Sequence, residues 1–257
     1  MSSASGARHQ KMADFRFYAE LNDFLPPARR QRDFVHPVEG RVTVKHLIES
    51  LGVPHGEVDL ILVNGQPVDF SYLVKDGDRV SVYPMFESID ISAVGRLRPQ
   101  PLRQTRFVLD THLGQLATYL RLLGFDTRYR NDFGDPELAR ISSEERRILL
   151  TRDRGLLKRN LVSHGYYVRH TEPRQQLLEV VRRFDLKDDL QPFRRCLRCN
   201  ALLEPVDKER ILHRLEANTR RYYEEFRICS GCQQIYWKGS HYRRMRRFLN
   251  GILELDI

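Results

Sequence analysis

The sequence predicts an α/β chain in three parts: an α+β domain in front, a parallel-sheet α/β domain in the middle and a small cysteine-held module behind. Three observations predict it. Strand-like runs punctuated by turn signals surround one helix-like stretch before residue 90; strand and helix patterns then alternate from residue 106 to 184; two cysteine pairs, each with a two-residue gap, follow.

A chain of 257 residues has room for two domains with appendages. No apolar run approaches the roughly 20 residues that span a bilayer, and "MSSASGARHQK" lacks the apolar centre of a signal peptide. Residues 1–12 therefore read as a disordered leader, and the expected setting is cytoplasmic, with no membrane partner. The net charge of +9 is unevenly spread. Residues 1–90 carry 10 Lys and Arg against 13 Asp and Glu, residues 91–190 carry 19 against 13, and residues 191–257 carry 14 against 8. A basic back half suits a polyanion such as nucleic acid, because neutralised phosphates release counterions; a solvated Arg-rich surface reads equally well on charge alone.

In the front part, "DFRFYAELNDFL" alternates like a half-buried strand. "TVKHLIESLG" sets Val44, Leu47, Ile48 and Leu51 on one helical face and stops at Gly52. "VDLILVNGQPVDF" is a hairpin turning at Asn64-Gly65, and "LVKDGDRVSVYPMF" adds a last strand. These spans set an α+β domain at residues 13–90. "GRLRPQPLRQTR" has no apolar period, so residues 91–105 read as a basic linker.

The middle part, residues 106–190, begins with the buried strand "RFVLD". "LGQLATYLRLLG" places Leu113, Leu116, Ala117, Leu120 and Leu123 at helical spacing and ends on Gly124. "FDTRYR" is a strand and "DPELARISSEERR" a helix, with Asp135 as N-cap and Pro136 at its first position. "ILLTRD", "RGLLKRNLVSHG", "YYVRH" and "PRQQLLEVVRRF" continue as strand, helix, strand and helix. Such alternation predicts a parallel sheet covered on both faces.

Ligands of open parallel sheets bind beyond the carboxyl ends of the strands. Asp110 ends one strand, Asp153 directly follows "ILLTR", and Asp135 opens a helix at the same edge. Converging carboxylates repel unless a cation joins them, and Mg²⁺ or Mn²⁺ takes oxygen ligands while keeping positions open for phosphate. Each aspartate also has a plainer reading, Asp135 as a helix cap and the others as partners of Arg152, Arg154 or His112. With the ion, Arg152, Arg154 and Lys158 become candidates to position phosphate.

Residues 191–257 hold the chain's four cysteines, Cys196 and Cys199 in "CLRC" and Cys229 and Cys232 in "CSGC". Two such knuckles complete a thiolate tetrahedron around a structural Zn²⁺; disulfides or a redox pair are the alternative. "IYWKGSHYRRMRRFL" mixes Tyr236, Trp237, His241 and Tyr242 with Arg243, Arg244, Arg246 and Arg247. Aromatics that stack on bases beside arginines that meet the backbone suit single-stranded nucleic acid, although Trp237 can equally pack on the knuckle.

Two resemblances rest on these residues. "VTVKHLIESLGVP", "LVNGQPVDF" and "DGDRVSVYP" resemble the ubiquitin-like β-grasp domains of sulfur-carrier type, whose chemistry needs a terminal diglycine. Here the strand runs on into "MFESIDISAVGRLRPQ" without one, so the resemblance implies a docking or structural role toward a protein partner. "FVLDTHLGQLATYLRLLGFDT", "DPELARIS" and "RILLTRDRGLLKR", with both knuckles, resemble the PIN-like ribonuclease family named from the C-terminal domain of the mut-seven exonuclease, over residues 106–245. The family's acidic positions fall on Asp110, Asp135 and Asp153 and its zinc ribbon on the four cysteines. "GQLATYLR" stands where members commonly carry Arg and Trp, which sets Gln115, Thr118 and Tyr119 apart from the pattern. The resemblance implies a metal-dependent ribonuclease acting on RNA, with Mg²⁺ or Mn²⁺ at the aspartates and Zn²⁺ in the ribbon. A non-catalytic RNA-binding adaptor, or a partner of sulfur-transfer machinery, are the other classes the residues allow.

Overall fold

The computed structural model describes residues 10–84 and 105–253. Residues 1–9 of the expected leader, the exit through "MFESIDIS" and the expected linker up to residue 104 lie outside the described residues. Lys11 and Met12, expected in the leader, instead open the first strand. The chain forms two compact units, Met1–Arg103 with Asp153–Tyr167, and Gln104–Arg152 with Val168–Ile257.

In the first unit, β1 (Lys11–Phe17), β2 (Phe34–Val38), α1 (Val44–Ser50), β3 (Val58–Val63), β4 (Gln66–Val68) and β5 (Arg79–Pro84) build a mixed sheet in the order β2-β1-β5-β3-β4. β1 runs parallel to β5, and the other pairings are antiparallel. Alternation along β1 buries Ala13, Phe15 and Phe17, which meet Val44, Leu47 and Ile48 of α1 in one core. The Thr43 hydroxyl caps α1 by accepting from His46 N. Asn64 and Gly65 take φ of 51° and 80°, the left-handed pair that a two-residue hairpin turn requires.

In chain order the remaining elements are β6 (Arg106–Leu109), α2 (Gly114–Leu123), β7 (Asp126–Arg128), α3 (Asp135–Glu144), β8 (Ile148–Thr151), α4 (Arg154–Leu157), β9 (Gly165–Tyr167) and α5 (Pro173–Arg183). β10 (Leu203–Val206), α6 (Lys208–Ile211), α7 (Ala217–Tyr222), β11 (Phe226–Cys229), β12 (Ile235–Trp237) and α8 (Ser240–Leu253) complete the chain. α4 and β9 fall in the first unit.

In the second unit β6 pairs in parallel with β7 on one side and β8 on the other. Phe107, Val108 and Leu109 of β6 and all four residues of β8 are buried, as strands covered on both faces must be. α2 contributes Leu116, Ala117, Leu120 and Leu123 from one face. Its left-handed stop at Gly124 (φ 101°) lies so close to Gln191 O that no side chain fits. The module behind is an antiparallel sheet, β10-β11-β12, over Ile211, Leu215, Phe226 and Ile235.

Asp126 joins this module to the parallel sheet. Its Oδ1 accepts from Arg147 Nη1 at 2.7 Å and Asn200 Nδ2 at 2.7 Å, and its Oδ2 lies 3.7 Å from Arg195 Nη2. Burial disfavours the charged carboxylate, but these hydrogen bonds and guanidinium charges outweigh it and hold the pKa below the ordinary value. A depressed folded pKa contributes stability that is present above the unfolded carboxylate pKa and is lost as pH falls through the folded value. Asp126→Asn leaves Arg147, whose side chain is 5 % exposed, with Glu145 at 2.6 Å as its remaining charge partner. The expected cost is about 2 kcal/mol, less than for an orphaned buried charge, because Glu145 still pairs with Arg147 and Asp126 keeps some solvent contact. Urea unfolding of the full chain should show a lowered midpoint and a flatter loss of stability below about pH 4, the unfolded carboxylate value; an unchanged midpoint would remove Asp126 from this role.

Candidate active site and metal centre

Asp110 sits where β6 ends. Its backbone N–H donates to Leu150 O at 3.0 Å, so the parallel ladder runs as far as the aspartate. The carboxylate is 7 % exposed. Oδ2 accepts from the Thr151 hydroxyl at 2.6 Å; Oδ1 accepts from Thr111 N at 2.6 Å and Thr111 Oγ1 at 3.2 Å. Among the described residues every donor to this carboxylate is neutral. Hydroxyl and amide donors leave carboxylate lone pairs open to a cation that takes oxygen ligands.

Tyr129 braces the same corner by donating its hydroxyl to Thr111 O at 2.9 Å. A Cβ at residue 114 would stand 2.6 Å from that phenol oxygen, which explains the glycine in "THLGQ".

Asp135 is half-buried and is the first residue of α3; Gly134, not Asp135, is the N-cap, and Pro136 takes the second position. A cap needs extended backbone, and Gly134 supplies it (ψ 162°). Asp153 is exposed and caps α4, accepting from Gly155 N at 2.6 Å.

The cations around Asp153 are used by the fold. Arg152 Nη1 donates to the carbonyls of Val168, Arg169 and His170 at 3.0, 2.7 and 2.6 Å, so this nitrogen holds backbone. Within the first unit the Arg154 guanidinium lies over the rings of Phe24 and Tyr167 at 5.0 and 5.4 Å. Lys158 Nζ donates to Glu49 O at 2.8 Å, and Lys45 Nζ to Asn160 Oδ1 at 2.8 Å. The sequence counts these cations but does not reveal their carbonyl and ring partners, which lie far away in the chain.

Cys196, Cys199, Cys229 and Cys232 come together with all four sulfurs within 4.8 Å of one another. Among the described residues they are the only group of three or more His, Cys, Asp or Glu so gathered, and the three aspartates do not figure in one. The Sγ pairs Cys196–Cys232 and Cys199–Cys229 are 3.6 and 3.3 Å apart. A thiolate tetrahedron at about 2.3 Å from zinc has edges near 3.8 Å, so the four thiols could hold that ion with little adjustment. Burial disfavours the Cys196 thiolate, but donation from the Tyr236 hydroxyl (3.1 Å) and the backbone N–H groups of Cys199 and Arg198 outweighs it and brings the pKa to about 7. The first knuckle is tied to the sheet by buried Arg121, which donates to Thr127 O, Leu197 O and Arg198 O at 3.0, 3.0 and 3.1 Å. Asn200 adds Thr127 N to Asn200 Oδ1 at 2.9 Å. Neither residue stands out in the sequence, because each acts on backbone groups that only the fold brings near.

The tail folds as α8. Leu249 is buried, Tyr242 and Phe248 are half-buried, and Arg243, Arg244, Arg246 and Arg247 are all exposed on the opposite side. The Phe248 ring packs on Tyr119 at 4.6 Å, and Thr118 Oγ1 donates to Gly114 O at 3.1 Å. Two of the α2 side chains that depart from the family pattern therefore serve helix contacts.

A family model described as the Mut7-C RNAse domain matches residues 105–249, and one described as Mut7-C ubiquitin matches residues 10–90. Comparison with curated proteins and with solved structures returns no match.

Elemental analysis of the purified full chain should find about one zinc per molecule, as a closed four-thiolate site requires. Cys196→Ser should lower that ratio and the thermal midpoint together. Zinc-free protein of unchanged stability with four titratable thiols would contradict the assignment.

Proposed function

The chain belongs to the Mut7-C RNAse domain family, whose model covers more than half of it, and from that premise we propose a divalent-metal-dependent ribonuclease that hydrolyses RNA phosphodiesters at Asp110, Asp135 and Asp153. The family gives a nuclease-type hydrolase. The metal dependence and the three aspartates rest on one observation above all, the Asp110 carboxylate, buried and met only by neutral donors.

Mg²⁺ or Mn²⁺, held by these aspartates, would supply Lewis acidity and an activated water. Thr151 and Thr111 fix the rotamer of Asp110, and α4 presents Asp153 with one oxygen already occupied by Gly155 N. The exposed arginines of α8 bind the RNA backbone and the ribbon assists, while the ubiquitin-like domain docks a protein partner. Among the described residues no helix is long and apolar enough to cross a membrane, in keeping with a cytoplasmic RNA substrate.

Asp110→Asn and Asp153→Asn should each lower RNA cleavage by at least ~10²-fold, on the scale of losing a strong electrostatic contact at a reacting centre. RNA binding should persist. Thr151→Val removes one neutral hydrogen bond from Asp110, and the expected loss is about five- to tenfold. Cleavage at the wild-type rate by the aspartate variants, or cleavage indifferent to chelation of added Mg²⁺, would overturn the metal mechanism at these aspartates; RNA binding by the wild-type chain with no cleavage in Mg²⁺ or Mn²⁺ would make a non-catalytic RNA-binding protein the better reading.

A further inference from the structure

The zinc-ribbon module carries an open cleft of about 760 Å³, lined from its sheet and by Tyr242 and Met245 of α8. Its aromatic lining is Phe193, Phe226, Tyr236, Trp237 and Tyr242. Phe193 and Tyr242 lie against each other at 4.4 Å. Trp237 approaches Tyr223 and Phe226 at 6.4 Å yet stays 37 % exposed. Phe193 holds a left-handed backbone (φ 61°), unfavourable for a bulky residue, and is fixed there by its N–H on Leu122 O and by Arg227 Nη1 on its own carbonyl. The fold thus keeps a strained phenylalanine in the lining of an aromatic cleft.

The polar lining carries acids and bases in equal number, so the cavity itself does not select a polyanion. It offers paired donors and acceptors instead. Lys238 bridges Glu225 at 2.5 Å and Lys208 bridges Glu224 at 2.6 Å, and the two glutamate side chains are 77 % and 76 % exposed. Ion pairs so exposed exchange partners readily. Polyanion affinity is supplied next door: α8 gives Tyr242 to the cavity wall, and from the same helix Arg243, Arg244, Arg246 and Arg247 face solvent.

We propose that this cleft receives an unpaired nucleobase of single-stranded RNA whose backbone runs along the arginines of α8, the base stacking on Trp237 and Phe193. Deepening the ribonuclease reading, the proposal makes the ribbon a selector of unpaired RNA. Stacking surfaces beside a cationic track are how single strands are held without sequence preference, and an exposed carboxylate such as Glu225 can accept from an exocyclic amine.

Trp237 is the chain's one tryptophan, so its fluorescence reports on the cleft directly. A single-stranded hexaribonucleotide, titrated into the full chain, should quench it; inorganic polyphosphate should compete for the arginines without quenching, and an RNA duplex should bind without quenching. By anisotropy of the labelled hexamer, Trp237→Ala and Phe193→Ala should each weaken binding about tenfold, a typical loss for one stacked base, leaving polyphosphate affinity unchanged. The double change Arg243→Ala with Arg247→Ala should instead lower the salt slope by roughly one to one and a half. RNA that binds wild-type protein without quenching Trp237 overturns the proposal, as does unchanged affinity in both aromatic variants. Quenching in a protein that does not cleave RNA supports the cleft and defeats only the catalytic reading.

Discussion

The buried polar joint at β7 is the constraint on which the second unit depends. Asp126, Arg147, Arg195 and Asn200 meet there, and Arg121 reaches past them to the carbonyls of the first cysteine knuckle. Arg121 is buried, and burial lowers its pKa against the raising influence of the nearby cysteines and Asp126. A guanidinium in that position is tolerable because its donors find backbone carbonyls of fixed geometry. The knuckle therefore depends on more than its sulfurs, since the sheet holds its backbone in place. The same bonds tie the cysteine module to β7, the parallel neighbour of the strand that leads to Asp110.

Much of this was legible in the sequence where local rules and packing agree. The Asn64-Gly65 turn, the Gly52 and Gly124 stops, the apolar face of α2 and the two knuckles all follow from φ preferences, helical period and ligand spacing. Legibility failed where a partner is remote in sequence. Pro136 marks the start of α3, but the cap is Gly134, whose backbone is extended while Asp135 is already the first helical residue. The stretch "RGLLKRNLVSHG" reads as a helix and forms only Arg154–Leu157; its cations are drawn to Glu49, Phe24 and Tyr167, contacts with no local signature.

The candidate site divides the same way. Strand-end position points to Asp110, and its meaning comes from what the sequence hides: a carboxylate 7 % exposed with hydroxyl and amide donors alone. Basic residues near Asp153 look like phosphate ligands in one dimension, yet Arg152 and Lys158 spend donors on carbonyls. The exposed arginines of α8 keep theirs toward solvent.

The central claim is that Asp110 anchors a divalent cation. Electron paramagnetic resonance of Mn²⁺ added to zinc-loaded full-length protein tests it most directly, because the free-ion signal falls only when the metal is bound and the cysteines are already filled. The account predicts that wild-type protein removes the signal and that Asp110→Asn restores it at the same concentrations. Equal Mn²⁺ binding by the two proteins, or none by either, would contradict it.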